Sequence, residues 1–206
     1  MLPFYYLPAI SALDLLSSAV ALAVAYAAYK YNRLVSGSVP AFVGISFSLL
    51  GMGLLLQGSL AAALFLSPSV EGARLFIISS YLYLSLQVAS YLILAVGYVG
   101  AAYSVEPALA APILRRALEV SRDFFDFVQL LSAVLLALVV FSAIQLRARG
   151  SFSSLVLGAF ILILLGHVFM LASAVGPLYF YALGSVVRFA GFALLLAFLV
   201  RGRHIA

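Results

Sequence analysis

Arg188 sits near the middle of an apolar run that extends from Pro177 to Val200. A guanidinium cannot shed its proton, and its stem cannot carry the charge fully to an interface from midplane. It therefore needs a carboxylate, backbone carbonyls or water beside it. Other polar side chains interrupt similar runs: Asp14, Gln57, Gln87, Asp126, Gln129 and His167. Polar and ionisable groups are expensive in hydrocarbon, so each is a candidate for a substrate pathway. A fixed Arg charge repels cations and favours an anionic or zwitterionic solute. The other reading of the same residues is hydrogen-bonding glue between helices. In the third apolar run Ser80, Tyr83, Gln87, Ser90 and Tyr91 share one helical face, which must point into a bundle rather than at lipid.

Several chemistries lack their residues. The chain has no cysteine, which excludes disulfides, thiolate metal sites and cysteine nucleophiles together. A bis-histidine haem needs two imidazoles inside the bundle, and His204 lies in the tail, leaving His167 alone. No His-Glu-x-x-His motif and no Gly-rich phosphate loop occurs. Asp123 and Asp126 stand three apart, which could hold a cation with a phosphate, but an acidic pair at headgroup level explains them better. No serine is paired with His167 as a nucleophile would require. The chain is therefore expected to be non-enzymatic, without metal or cofactor.

The elements that position these residues follow from composition. The 206 residues are 67% hydrophobic and 8% charged, where soluble domains are about half apolar and a quarter charged. Too few charges are present to cover a water-soluble surface, so the expected setting is the lipid bilayer of the cell membrane, crossed several times. The formal net charge of +5 reflects few acids rather than a concentrated basic domain, and no nucleic-acid partner is expected. A single Asn with neither Cys nor Trp fits a thermophilic source. The first ten residues carry no basic segment, so the first apolar run reads as a retained span.

A span needs about 20 apolar residues. Six runs qualify: Pro8–Tyr29, Pro40–Leu66, Arg74–Tyr103, Phe124–Leu146, Ser153–Val175 and Pro177–Val200. The expected fold is an all-α, six-helix transmembrane bundle in one domain, 1–206. Gly176-Pro177 makes the fifth and sixth spans an antiparallel hairpin. With no Trp, the interfacial belt falls to Phe4, Tyr5, Tyr6, Tyr26, Tyr29, Tyr31, Tyr179 and Tyr181. Ala19, Ala23 and Ala27 recur every fourth position, which permits close helix approach or simply reflects an Ala-rich chain.

Between the third and fourth runs, Arg115, Arg116, Glu119, Arg122 and Asp123 share one helical side and Ile113, Val120 and Phe124 the other. Residues 104–123 therefore read as an amphipathic linker, helical over Pro107–Asp123, lying in the interface or packed on the bundle. It divides the chain into three-helix halves, 1–103 and 124–206. The halves share short matches: Leu49-Leu50-Gly51 with Leu164-Leu165-Gly166, Ser18-Ala19-Val20 with Ser132-Ala133-Val134, and Gln87 with Arg188. These suit either a repeat or chance in Ala/Leu-rich sequence. With three spans per half and no linking span, a repeat would be inverted, and the polar groups would fall into two clusters in opposite membrane halves. Both termini would share one side, here side A. Basic residues then split evenly: Arg74, Arg147, Arg149, Arg201 and Arg203 on side A, and Lys30, Arg33, Arg115, Arg116 and Arg122 on side B. Orientation is a tie.

Two functions remain. One is a small transporter or channel with its site between the halves; Asp14, Gln87, His167 and Arg188 lead the candidates. The alternative is a non-catalytic membrane subunit, such as a sensor input module or an assembly partner in a homo-oligomer or larger complex. A water-accessible cavity reaching Arg188 favours the first, a dry closed core the second.

Overall fold

Within hydrocarbon every backbone N–H and C=O must be satisfied inside its own segment, so apolar runs of this length fold as helices. The computed structural model describes residues 7–33, 38–103, 124–150, 152–173, 175–177 and 179–202. Among them are six helices: α1 (Leu7–Asn32), α2 (Val39–Leu66), α3 (Val70–Tyr103), α4 (Phe124–Ala148), α5 (Ser154–Ala172) and α6 (Tyr179–Gly202). All six are long and apolar enough to cross a membrane, and the chain is a multi-pass membrane protein. Local chemistry marks the ends. Pro40 stands in the first turn of α2, where its missing N–H costs nothing. Ser69 Oγ accepts from the Gly72 N–H before α3, and Ser153 Oγ accepts from the Leu155 N–H before α5. Gly150 ends α4 with φ of 75°, a conformation that glycine adopts readily.

The helices form a closed ring in chain order, with α6 returning to α1. Directions follow from which residues meet. Ser11 Oγ donates to the Gly58 carbonyl at 2.9 Å and Ser18 Oγ to the Gly51 carbonyl at 2.8 Å, so α1 and α2 are antiparallel. Across α3 and α4, Tyr81 meets Phe124, Gln87 meets Ser132, and Arg149 meets Ala102. Both numbers rise together. These two helices are parallel. Gly53 meets Tyr83 and Gly97 meets Phe42, so α3 opposes α2; Tyr91 meets His167 and Tyr98 meets Phe160, so α5 opposes α3; Gly184 meets Met170 and Gly191 meets Ile163, so α6 opposes α5. Thus α1, α3, α4 and α6 run from side A to side B, and α2 and α5 return.

That overturns the expectation of shared termini. Leu7 begins α1 at side A, whereas Gly202 ends α6 at side B. Counting apolar runs assumes that each connection stays on one face. Here Tyr103 ends α3 at side B, and Phe124 begins α4 at the level of Tyr81, 22 residues or about 33 Å back along α3. The linker 104–123, with its expected surface helix, lies outside the described residues, as do Phe4, Tyr5, Tyr6 and His204; the ends that the linker joins stand at opposite faces.

The halves consequently point the same way and are not inverted. Nor do the matched residues pack alike. Gly51 faces Leu22 of α1, but Gly166 faces Gly184 and Arg188 of α6; Ser18 bonds α2, but Ser132 bonds α3. Among the described residues the charges are unevenly shared. Lys30, Arg33, Arg147, Arg149 and Arg201 gather at side B, while Glu71, Arg74 and Asp126 stand at side A. Several of these lie in terminal turns where they complement the helix dipole: Lys30, Arg147 and Arg201 in last turns, Glu71 and Asp126 in first turns.

The outer faces present Met52, Ile78, Phe141 and Val186, suited to lipid. Inside, Phe47, Leu54, Leu136, Phe160 and Phe192 are buried. Small residues set the close contacts. Ala19 is exposed, so the alanine repeat is not the packing stripe of α1; that face uses Ser11, Ser18 and Ala25. Gly166, Gly184 and Gly191 bring α5 and α6 so close that a Cβ at Gly184 would lie 2.5 Å from the Gly166 carbonyl oxygen.

Candidate functional site

The close approach of α5 and α6 delivers Arg188 to the interior. A Cβ on Gly166 would stand 2.8 Å from the Arg188 Cβ, so the absence of that atom lets the guanidinium enter the ring beside His167. Arg188 is 1% exposed. Its Nη1 donates to the Tyr83 hydroxyl at 2.5 Å, and its Nη2 lies 3.5 Å from Asp14 Oδ1. That is longer than the 2.7–2.9 Å of a strong charge-assisted bond. The pair leaves no net charge in the core, which is the minimum condition for burying an arginine.

A second cluster adjoins it. His167 Nδ1 is 2.6 Å from Gln129 Oε1, and Nε2 is 2.8 Å from the Tyr91 hydroxyl. An amide oxygen only accepts, so Nδ1 carries the proton and Nε2 accepts from Tyr91. Gln87 Nε2 donates to Ser132 Oγ at 2.9 Å. Tyr83, Gln87 and Tyr91, four residues apart on α3, set these contacts side by side along about 12 Å of helix. Since α4 runs parallel to α3, Gln129 falls in the same half as Asp14. The groups expected in opposite membrane halves instead share one, as three hydrogen-bonded sets along the α3 stripe.

Two atoms in these sets, Arg188 Nε and Gln87 Oε1, have no hydrogen-bond partner among the described residues. A buried group left unpaired costs about 1–3 kcal/mol. The network thus offers one free donor and one free acceptor beside a loosely closed ion pair. Such a set can hold a carboxylate on the arginine and an amine on the amide or aspartate.

The remaining candidates lie apart. Gln57 bonds Ser79 and Ser80 across α2 and α3, as helix glue would. Asp126 is half-buried at the start of α4 and takes no part in the network. Sequence reasoning placed Tyr83 and Tyr91 on the inward stripe without assigning them partners. The alternation of phenols and amides every fourth residue was the available signal, but their partners come from distant helices. Among the described residues no group of three or more His, Cys, Asp or Glu is placed to hold a metal.

Above the network, at side B, a cavity of about 480 Å³ is lined by all six helices, including Tyr31, Val43, Tyr98, Leu146, Val156 and Leu199. It therefore lies on the ring axis. Along one face of α6, Leu199 and Leu195 line this vestibule, Phe192 stands deeper, and Arg188 deeper still. Phe192 is fully buried and meets Phe47 edge-on at 5.5 Å. Leu195 is seven residues from Arg188, about 10 Å along the helix. The vestibule thus stops short of the ion pair, with the two phenylalanines between them. Comparison with family models, curated proteins and solved structures finds no match.

Proposed function

We propose that this multi-pass membrane protein transports a small zwitterionic solute, entering from a vestibule at side B toward the Asp14–Arg188 pair. The observation that carries the reading is the axial vestibule, lined by all six helices and aimed at a buried polar network with an unpaired donor and acceptor. An anion alone would take Arg188 and strand Asp14. A zwitterion supplies a partner for each, so the exchange keeps the core neutral. Phe47 and Phe192 act as the barrier between vestibule and pair. Among the described residues, the gathering of Lys and Arg at side B supports placing that side toward the cytoplasm.

A second reading has its own observation: Arg188 is fully enclosed, and neither described cavity reaches it. Such enclosure suits a non-transporting subunit, in which the polar contacts hold helices in register.

Since the chain has no cysteine, the two readings separate cleanly by labelling. Ser185 is buried one turn from Arg188. In liposomes holding the full chain, Ser185→Cys should react with a membrane-impermeant methanethiosulfonate added from side B. Saturable uptake of a radiolabelled amino acid should be lost in Arg188→Gln and Asp14→Asn. A folded Ser185→Cys protein that never labels, with no amino-acid uptake above empty liposomes, would sink the transport reading and leave the subunit.

A further inference from the structure

We propose that the groove between α1 and α2 binds a membrane lipid, its acyl chain in the groove and its anionic headgroup on Lys30 and Arg33. The groove has a volume of about 660 Å³. Leu22, Ala25 and Tyr26 wall it from α1, with Gly44, Ile45 and Leu49 from α2. It opens outward: Tyr26, Tyr29 and Ile45 are each more than half exposed. That face of the bundle meets hydrocarbon.

The groove exists because two helices that start tightly packed move apart. Gly44, Gly51 and Gly58 recur every seven residues along α2, on the face toward α1. A Cβ at Gly58 would lie 3.0 Å from Leu15, and one at Gly51 would lie 2.8 Å from Leu22. At Gly44 the nearest atom would be 3.6 Å away, an ordinary contact. The gap therefore widens toward side B, where, among the described residues, no serine-to-carbonyl bond like those of Ser11 and Ser18 closes it.

Length and charge name the occupant. Along α1 the groove runs from Leu22 to Asn32, about 15 Å at 1.5 Å per residue. That is half of a hydrocarbon core about 30 Å thick, the depth of one leaflet. At its mouth Lys30 Nζ sits 4.7 Å from the Tyr26 ring centre, and the Arg33 guanidinium 4.8 Å from that of Tyr29. Arg33 also donates to the Tyr29 hydroxyl. Both rings line the groove, so two cations are held where a headgroup phosphate would rest. Among the described residues no acid stands at side B. A leaflet-deep apolar slot under paired cations selects an anionic lipid over a neutral one.

Native mass spectrometry of the detergent-purified chain tests this with phosphatidylglycerol and phosphatidylcholine of identical acyl chains. The unaltered protein should retain phosphatidylglycerol several-fold more than phosphatidylcholine. Gly44→Leu, which fills the groove, should lose retention of both. Lys30→Gln with Arg33→Gln touches no core packing and should equalise the two lipids. Equal retention by the unaltered protein, or unchanged preference in the Lys30 and Arg33 double variant, overturns the proposal. So does a dimer that disappears in Gly44→Leu, because a second copy would then occupy the groove.

Discussion

Asp14 and Arg188 lie 174 positions apart and meet at 3.5 Å where α1 and α6 close the ring. Each is all but inaccessible, at 3% and 1% exposure, so each is the condition under which the other can be buried. The contact also closes the ring between the first and last helices.

Asp14→Asn should destabilise the protein in detergent by about 3–5 kcal/mol, since it leaves the guanidinium without its counter-charge. Asp14→Asn combined with Arg188→Met should recover most of that loss, because no charge then remains buried. Thermal or denaturant unfolding of the three proteins reads this directly. A single variant as stable as the parent would show that Arg188 is neutralised elsewhere.

Cysteines placed singly at Asn32 and Arg201 should be modified from one side of the membrane, and cysteines at Ser67 and Val175 from the other. This tests the parallel course of α3 and α4. Modification of Asn32 and Arg201 positions from opposite faces would restore the antiparallel arrangement and dismantle the shared polar network with it.

The glycines of the α5–α6 contact should be intolerant. Gly166→Ala would press a Cβ to within 2.8 Å of both the Gly184 carbonyl oxygen and the Arg188 Cβ, at a cost of about 1–3 kcal/mol. Gly100→Ala meets nothing within 4 Å and should be neutral, or stabilising by about 0.5–1 kcal/mol through helix propensity. Equal effects at the two sites would show that the helices do not approach as described.

Tyr91→Phe removes the hydroxyl that donates to His167 Nε2 and should cost about 1–3 kcal/mol by leaving that nitrogen unpaired. Tyr103→Phe, a change of the same atom at an exposed position, supplies the control. The difference in unfolding free energy between the two variants is the relevant measurement.

Phe192→Ala should increase labelling of a cysteine at Ser185 by the impermeant reagent from side B. The substitution removes half of the aromatic pair between vestibule and network. Unchanged labelling in a folded variant would mean that other side chains seal the axis.

The amino-acid sequence by itself determined that this chain belongs in a membrane and crosses it as helices. Hydrocarbon leaves the backbone no other way to satisfy itself, and six apolar runs can be located by length alone. It also determined which residues must face inward, because Arg188, His167, Gln129 and the Tyr83–Gln87–Tyr91 stripe cannot face lipid cheaply. Only the tertiary structure decided direction and partnership. Hydropathy carries no arrow, so the parallel course of α3 and α4 was invisible, and with it the gathering of basic residues at side B. The match of Leu50-Gly51 with Leu165-Gly166 suggested equivalent halves, yet one glycine admits Leu22 and the other a helix backbone. Asp14 became the partner of Arg188 through ring closure, a contact between the first and last helices that no local spacing encodes.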